Sequence, residues 1–309
     1  MREELLELPI DPRDAEIPGG HIVAAADWQP RAAPAVVVVH GVAGSSDDAY
    51  VVRAARALAH RGYHVLRINQ RGSGRGHGKA AHLYHAGLGD DVGIVCRFLE
   101  ARDDVTGVGV LGFSLGGHTS LAHAAAVGAD VGKLKAVASI SSPVDLAASM
   151  LAFDRARTTP ARFYERKMLA GLVAAARALG ARAPFSDAEL AAVADIRQFD
   201  ALVTCRCHGF ADVDEYYAKS SVLPKLGAIH VPTLVIHAED DPIVPVGPLQ
   251  EALGRGRTSG ALHGGAVDVV ILPRGGHVGF VGSLPQLWGA TAAVELAATH
   301  FATHLLPAL

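Results

Sequence analysis

Charge is sparse in this chain. Only 19% of its 309 residues are charged, and lysine plus arginine (28) fall short of aspartate plus glutamate (31). With no basic excess to neutralise phosphates, nucleic acid is not an expected partner. Cysteine is scarce as well. Cys96, Cys205 and Cys207 form an odd set, which excludes a fully paired disulfide framework and suits a reducing compartment. No run reaches about 18 uninterrupted apolar residues, so no integral membrane segment is expected. The opening MREELLELPIDPRD has acidic residues where a secretory signal carries a basic end and an apolar core. A cytoplasmic location is the matching expectation. What is abundant is apolar: half of the chain, enough to exclude a disordered polymer. The length fits two domains, or one large α/β domain with an insertion.

Short β-branched runs alternate with helical stretches. Candidate strands are His21–Ala26, Ala35–His40, Tyr63–Asn69, Gly107–Phe113, Lys135–Ser141, Thr233–Ala238 and Val267–Leu272. Val36 to Val39 are apolar without alternation, the mark of a strand covered by helices on both faces. Candidate helices are Asp47–Arg61, Asp90–Arg102, Leu115–Val127, Pro245–Leu253 and Leu287–Leu305. This order predicts an α/β fold with a mostly parallel, doubly wound sheet. The alternation stops between about Leu146 and Ile229, where helix-like runs follow one another: Ala161–Leu179, Asp187–Ala194 and Val213–Ser221. Ser186 with Glu189 has the spacing of a capping box, and Gly180 is a natural helix stop. The expected organisation is a core of residues 1–146 and 230–309 with a helical cap insertion at 147–229.

Gly112-Phe113-Ser114-Leu115-Gly116 is a G-x-S-x-G motif between an apolar strand and an alanine-rich helix. In a chain with 34 glycines the pattern alone is weak. The strand before it and the helix after it are the context of a nucleophile elbow, in which a sharp turn lifts the hydroxyl off the sheet edge. A serine nucleophile needs a base. Of 16 histidines, His277 sits just after the last candidate strand, in Arg274-Gly275-Gly276-His277, where a loop reaches the carboxyl edge of the sheet. The base needs an orienting carboxylate. Asp241 in Glu239-Asp240-Asp241-Pro242 is the choice, with Asp240 the near rival and Asp145 the distant one. The order Ser114, Asp241, His277 then follows. Val42, in His40-Gly41-Val42-Ala43-Gly44, and Leu115 are the expected backbone N–H donors to a tetrahedral oxyanion. Neither metal nor cofactor is called for.

Other patterns fail on context. Gly107 to Gly112 matches G-x-G-x-x-G, but its glycines fall inside a strand rather than in a turn opening a helix. Arg71 to Lys79 resembles a phosphate loop but carries Ser73 and Ala80 where glycine and Ser/Thr are needed. Cys205-x-Cys207 is neither a zinc set nor the redox spacing. His300 with His304 lacks a third ligand and reads as a pair of solvated helix positions, and His77, His82 and His85 read as loop histidines or supports around a site rather than metal ligands.

With these residues in view, the chain resembles the α/β-hydrolases of the YheT-like branch. The likeness runs from about Val36 to the last helix. It is carried by His40-Gly41 with Gly44-Ser45-Ser46, Asn69 to Gly74, Tyr84-His85-Ala86-Gly87 with Asp90-Asp91, Gly112 to Gly117, and Ser142 to Leu146. In the insertion it is carried by Phe199-Asp200, His208-Gly209-Phe210, Tyr216-Tyr217 and Ser220-Ser221, then by His237 to Pro242 and Gly275 to Phe280. Ser73 departs from the pattern, since relatives often carry cysteine there. The resemblance implies a serine hydrolase of carboxylic esters with short or medium acyl chains, acting on a small-molecule ester. Thioesterase, amidase or lipase chemistry on the same three residues is the nearest alternative. A catalytically silent binding module is the alternative of another class. The insertion would roof the cleft, with the runs Leu169–Val173 and Leu190–Val193 either lining an acyl pocket or packing onto the core.

Overall fold

Four consecutive buried valines set the layering of the molecule. In the computed structural model, which describes residues 3–10, 20–155, 159–254, 257–262, 265–280 and 291–306, Val37 and Val39 face one apolar cluster and Val36 and Val38 face another. Successive side chains of a strand point to opposite faces, so an all-valine strand is stable only between two helical layers. Full burial of each valine contributes about 1.5–3 kcal/mol.

The described residues form a nine-stranded sheet. Its strands are β1 (Glu4–Pro9), β2 (His21–Asp27), β3 (Ala33–Val39), β4 (His64–Asn69), β5 (Val105–Phe113), β6 (Leu134–Ile140), β7 (Thr233–Ala238), β8 (Ser259–Leu262) and β9 (Val267–Leu272). The spatial order is β1-β2-β4-β3-β5-β6-β7-β9-β8. The run from β4 to β9 is parallel, and β1, β2 and β8 are antiparallel additions at the two edges. The helices are α1 (Ala49–Ala59), α2 (Asp90–Glu100), α3 (Leu115–Val127), α4 (Leu146–Arg155), α5 (Thr159–Arg177), α6 (Asp187–Ala191), α7 (Ile196–Phe199), α8 (Cys205–His208), α9 (Val213–Ser220), α10 (Gly247–Leu253) and α11 (Ala292–Leu305). Val51 and Leu58 of α1 and Phe301 of α11 cover one face of the sheet. Val95 and Leu99 of α2, Leu121 of α3 and Leu249 of α10 cover the other.

Seven strands stand where the sequence places them, within a residue or two at most ends. Gly107 to Gly112 lie inside β5, so that glycine pattern is strand, not phosphate loop. β1 and β8 were not expected, because edge strands need only one apolar face and theirs are mostly exposed. Helices α4 to α9 fall between β6 and β7. Ser186 and Glu189 form the expected capping box, and Gly180 has a φ of +58° just past α5. For the last expected helix, 287–290 lie outside the described residues and α11 starts at Ala292.

Candidate active site

β3 and β5 lie side by side, and their carboxyl ends deliver the first two parts of the site. Gly41 follows β3, and Ser114 caps β5 with φ +51°, ψ −122°. A side chain rarely adopts that conformation without packing to hold it. Here the turn is squeezed. A Cβ at Gly112 would fall on the Gly116 carbonyl, and one at Gly116 on the carbonyls of His40 and Val39. Both positions must be glycine for α3 to start this close to the sheet. Gly41 in turn comes so close to Ser114 that a Cβ there would lie 3.1 Å from the serine Cβ. The amino end of α3 adds its dipole beneath the hydroxyl.

β7 and β9 deliver the rest. His277 Nε2 lies 3.0 Å from Ser114 Oγ, and His277 Nδ1 lies 2.9 Å from Asp241 Oδ2. The tautomer that satisfies both carries its proton on Nδ1 and accepts from the serine at Nε2. The Asp241 side chain is fully buried. Its Oδ1 accepts the N–H groups of Ile243 (2.9 Å) and Val244 (3.0 Å), so a carboxylate held by three donors faces the imidazole. Asp240 does something else. Its Oδ1 accepts Gly275 N–H and Gly276 N–H, both at 2.8 Å, which fixes the loop ahead of His277 and holds its carboxyl below the usual range. Asp145 is remote in role, with its side chain accepting from Ala148 N–H at the start of α4.

Backbone strain gathers at this one rim. Among the described residues the non-glycine positions with positive φ are Ala43, Ser114, Ser141, Val278 and Phe280. They follow β3, β5, β6 and β9 in turn. Ser141 Oγ accepts Val278 N–H at 3.2 Å, tying the histidine loop to the end of β6.

The loop after β3 is pinned from several sides. His40 Nδ1 lies 2.7 Å from the Gly41 carbonyl, its Nε2 lies 2.8 Å from Ser73 Oγ, and Gln70 Nε2 donates to the His40 carbonyl at 3.2 Å. Burial lowers the His40 pKa. Ser73 Oγ thus ties the loop after β4 to the loop after β3. Val42 and Leu115 both line the cavity that exposes Ser114. Among the described residues no acceptor takes the N–H of either.

That cavity, about 750 Å³ with its open mouth included, is walled by Met150, Phe153, Met168, Leu172, Ile196 and Phe199, with Ile243 and Val244 from the loop that carries Asp241. Of the two apolar runs considered from sequence, Leu172 reaches the cavity, while Leu190 is buried in a cluster with Leu179 and Val203. The two glycine-rich decoys do not enter it: Arg71 is buried against Asp91 at 3.0 Å. The His85 and His208 rings meet at 4.3 Å, tilted by 53°, and burial pushes their pKa values down to about 3 and about 4. His300 Nε2 donates to the Pro232 carbonyl at 3.1 Å, just before the amino end of β7.

Asp200 also lines the cavity, and spacing arguments gave it no task. It opens a single π-helical turn, Asp200–Thr204, joining α7 to α8. Thr204 Oγ1 donates to it at 2.9 Å and Tyr217 Oη at 2.8 Å. Burial raises its carboxyl from 3.8 to about 6 despite these donors. Between those two values the folded chain holds a proton that the unfolded chain has lost, so stability falls as pH rises through that window. At 1.36 kcal/mol per pKa unit the ionised side chain costs about 3 kcal/mol above pH 6. The Asp200→Asn variant is therefore expected to melt higher than the parent at pH 7.5, with the gap closing toward pH 4. Paired thermal melts across this range check it; a gap independent of pH would contradict the assignment.

The sheet order, the elbow and the aligned Ser–His–Asp side chains define a class, and comparison with known proteins agrees. The α/β-hydrolase fold family model matches residues 34–282, and the chain belongs to that family, as a hydrolase of the esterase and lipase type. Within it the chain is 33% identical to "Putative esterase YheT" of Escherichia coli (strain K12), over 88% of this chain and 80% of that one, which places it in the YheT-like branch. It is 28% identical to the monoacylglycerol lipase of Saccharomyces cerevisiae over 69% of this chain, spanning 49% of the yeast protein. Among solved structures, the Pyrococcus furiosus esterase Pf2001 superposes with a TM-score of 0.60 at 15% identity, covering 98% of this chain and 93% of that one. That likeness is one of fold. No described helix is long and apolar enough to cross a membrane.

Proposed function

We propose that the protein hydrolyses carboxylic esters through an acyl-enzyme on Ser114. One observation carries this reading: a single imidazole, His277, bridges a hydroxyl at 3.0 Å and a buried carboxylate at 2.9 Å. Ser114 Oγ attacks the acyl carbon while its proton passes to His277 Nε2, and the carbonyl π pair moves onto oxygen. The N–H groups of Val42 and Leu115 receive that oxyanion. The C–O bond to the alcohol breaks as His277 returns the proton to the leaving oxygen. Water, deprotonated by the same imidazole, then attacks the acyl carbon and frees the acid and Ser114. Asp241 holds the imidazole in the productive tautomer and stabilises its cation.

Residues 147–229 act as the cap in this reading. Met150, Phe153, Met168, Leu172 and Phe199 supply most of the apolar wall, which suits short to medium acyl chains. A panel of p-nitrophenyl esters tests it. Each added methylene is worth about 0.8 kcal/mol, roughly fourfold in kcat/KM, until the wall is filled. The expected profile rises, peaks at medium length and falls for long chains. A profile that is flat, or still rising at palmitate, would refute the acyl-length assignment. A fluorophosphonate should at the same time label the peptide that contains Ser114, and labelling elsewhere would move the nucleophile. The yeast relative's name favours one further comparison, an emulsified monoacylglycerol against the soluble esters.

A further inference from the structure

Three consecutive backbone N–H groups follow β3, and they are treated differently. Gly41 N–H donates to Tyr50 Oη at 2.8 Å, and Ala43 N–H donates to Tyr84 Oη at 2.7 Å. Val42 N–H, between them, has no acceptor among the described residues, and Val42 lines the cavity. Two phenols thus fix the loop on either side of the one donor left for chemistry.

The phenols are not equivalent. Tyr50 lies near Asp48, whose carboxylate accepts Ser45 N–H at 3.1 Å. It stands among Phe113, Val278 and Thr291, in a cleft apart from the Ser114 cavity. Tyr84 has an accepting bond and, among the described residues, no acceptor for its proton. Tyr84 is among the residues that line the cavity with Ser114, Leu115 and Val42, and it also lines a second one beside Ala43 and Ser73. Because it is bonded to the N–H next along the chain, its oxygen lies within roughly 6 Å of the Val42 nitrogen. Its backbone is fixed as well. Tyr84 N–H donates to the Arg71 carbonyl at 2.9 Å, and the buried Arg71 guanidinium is held by Asp91.

We infer that Tyr84 is a further catalytic residue: its hydroxyl is a third donor to the oxyanion, beside the N–H groups of Val42 and Leu115. This rests on the ester-hydrolase reading above. Accepting from Ala43 N–H polarises the phenol and strengthens what it donates, as chained hydrogen bonds do. Burial raises the phenol's pKa, so the group keeps the proton it must offer. No proton is transferred. The hydrogen bond shortens as charge builds on the carbonyl oxygen and relaxes when the carbonyl reforms.

The test compares Tyr84→Phe with Tyr50→Phe on a p-nitrophenyl ester and on a trifluoromethyl ketone, which adds Ser114 Oγ to give a tetrahedral oxyanion. Loss of one such donor costs about 100-fold or more in kcat. Tyr84→Phe is expected to lose kcat on that scale with KM within about twofold of the parent, and to bind the ketone weaker by a similar factor. Tyr50→Phe, which only loosens the loop, is expected to lose far less on both measures. Equal losses in the two variants would reduce Tyr84 to a loop support and overturn the proposal. A Tyr84→Phe effect confined to KM would do the same. If Tyr84→Phe fails to fold, 3-fluorotyrosine at position 84 supplies a more acidic phenol of nearly the same shape. Tighter ketone binding then supports the donor, and unchanged binding overturns it. Fluorophosphonate labelling of the parent keeps the outcomes apart: a parent that never labels at Ser114 fails the ester-hydrolase reading itself.

Discussion

Ser114→Ala should lower kcat on an activated ester by about a million-fold and abolish fluorophosphonate labelling. The size of the effect follows from the loss of the covalent route: with no Oγ there is no acyl-enzyme, and only oriented water remains. His277→Ala should cost nearly as much, because a neutral serine hydroxyl with no base within 3.0 Å is a poor nucleophile. The double variant should be hardly worse than either single one, since the groups act as a unit. Residual turnover of about a thousand-fold over water, from the oxyanion donors and the cavity, should persist in all three. Steady-state rates with mass-spectrometric detection of the acylated peptide read these outcomes. Additive losses, or an adduct that survives in Ser114→Ala, would show that the two side chains work separately.

The second large effect distinguishes two neighbouring acids. Asp241→Asn should reduce kcat by about 10⁴-fold. An asparagine amide turned to the imidazole would donate to Nδ1, leaving the proton on Nε2, where it blocks acceptance from Ser114. The buried pocket makes a compensating flip costly, because Ile243 and Val244 N–H groups need the Oδ1 acceptor where it is. Asp240→Asn should cost at most a few-fold, because the amide oxygen can still accept Gly275 and Gly276 N–H. Both variants are measured on one p-nitrophenyl ester with circular dichroism to exclude misfolding. A larger loss at Asp240 than at Asp241 would reverse the roles proposed for them.

Much of this arrangement was legible from residue order. The unalternating valines after Ala35 announced a buried parallel strand, and G-x-S-x-G mattered because it sat between such a strand and a helix. Chain order also separated His277 from the other histidines, since only it followed the last strand in a glycine-rich loop. The choice between Asp240 and Asp241 was harder. Adjacent side chains in a turn point in different directions, and only the turn geometry decides which meets the imidazole. β1 and β8 escaped notice because edge strands bury little. α4, α7 and α8 lacked a full apolar stripe, and short helices held by tertiary contacts leave weak periodicity. Tyr50, Tyr84 and Asp200 had no spacing signal at all. Their roles come from partners in other elements or turns, and Ala43 lies 41 positions from Tyr84. Hydrogen bonds of that kind are written in the fold, not in a local pattern.

The five left-handed residues along the carboxyl rim have a mechanical consequence. At about 1–3 kcal/mol each, they hold roughly 5–15 kcal/mol of conformational tension, the same scale as the net stability of a whole domain. The long hydrogen-bonded ladder and its two helical coats act as the clamp that keeps these loops bent. Trimming the scaffold, or transplanting the loops to a smaller one, would let the chain spring back to ordinary dihedrals and pull the reacting groups apart. Packing defects placed well away from the cleft, such as a hollow under Phe301, would for the same reason register first as misalignment at the rim.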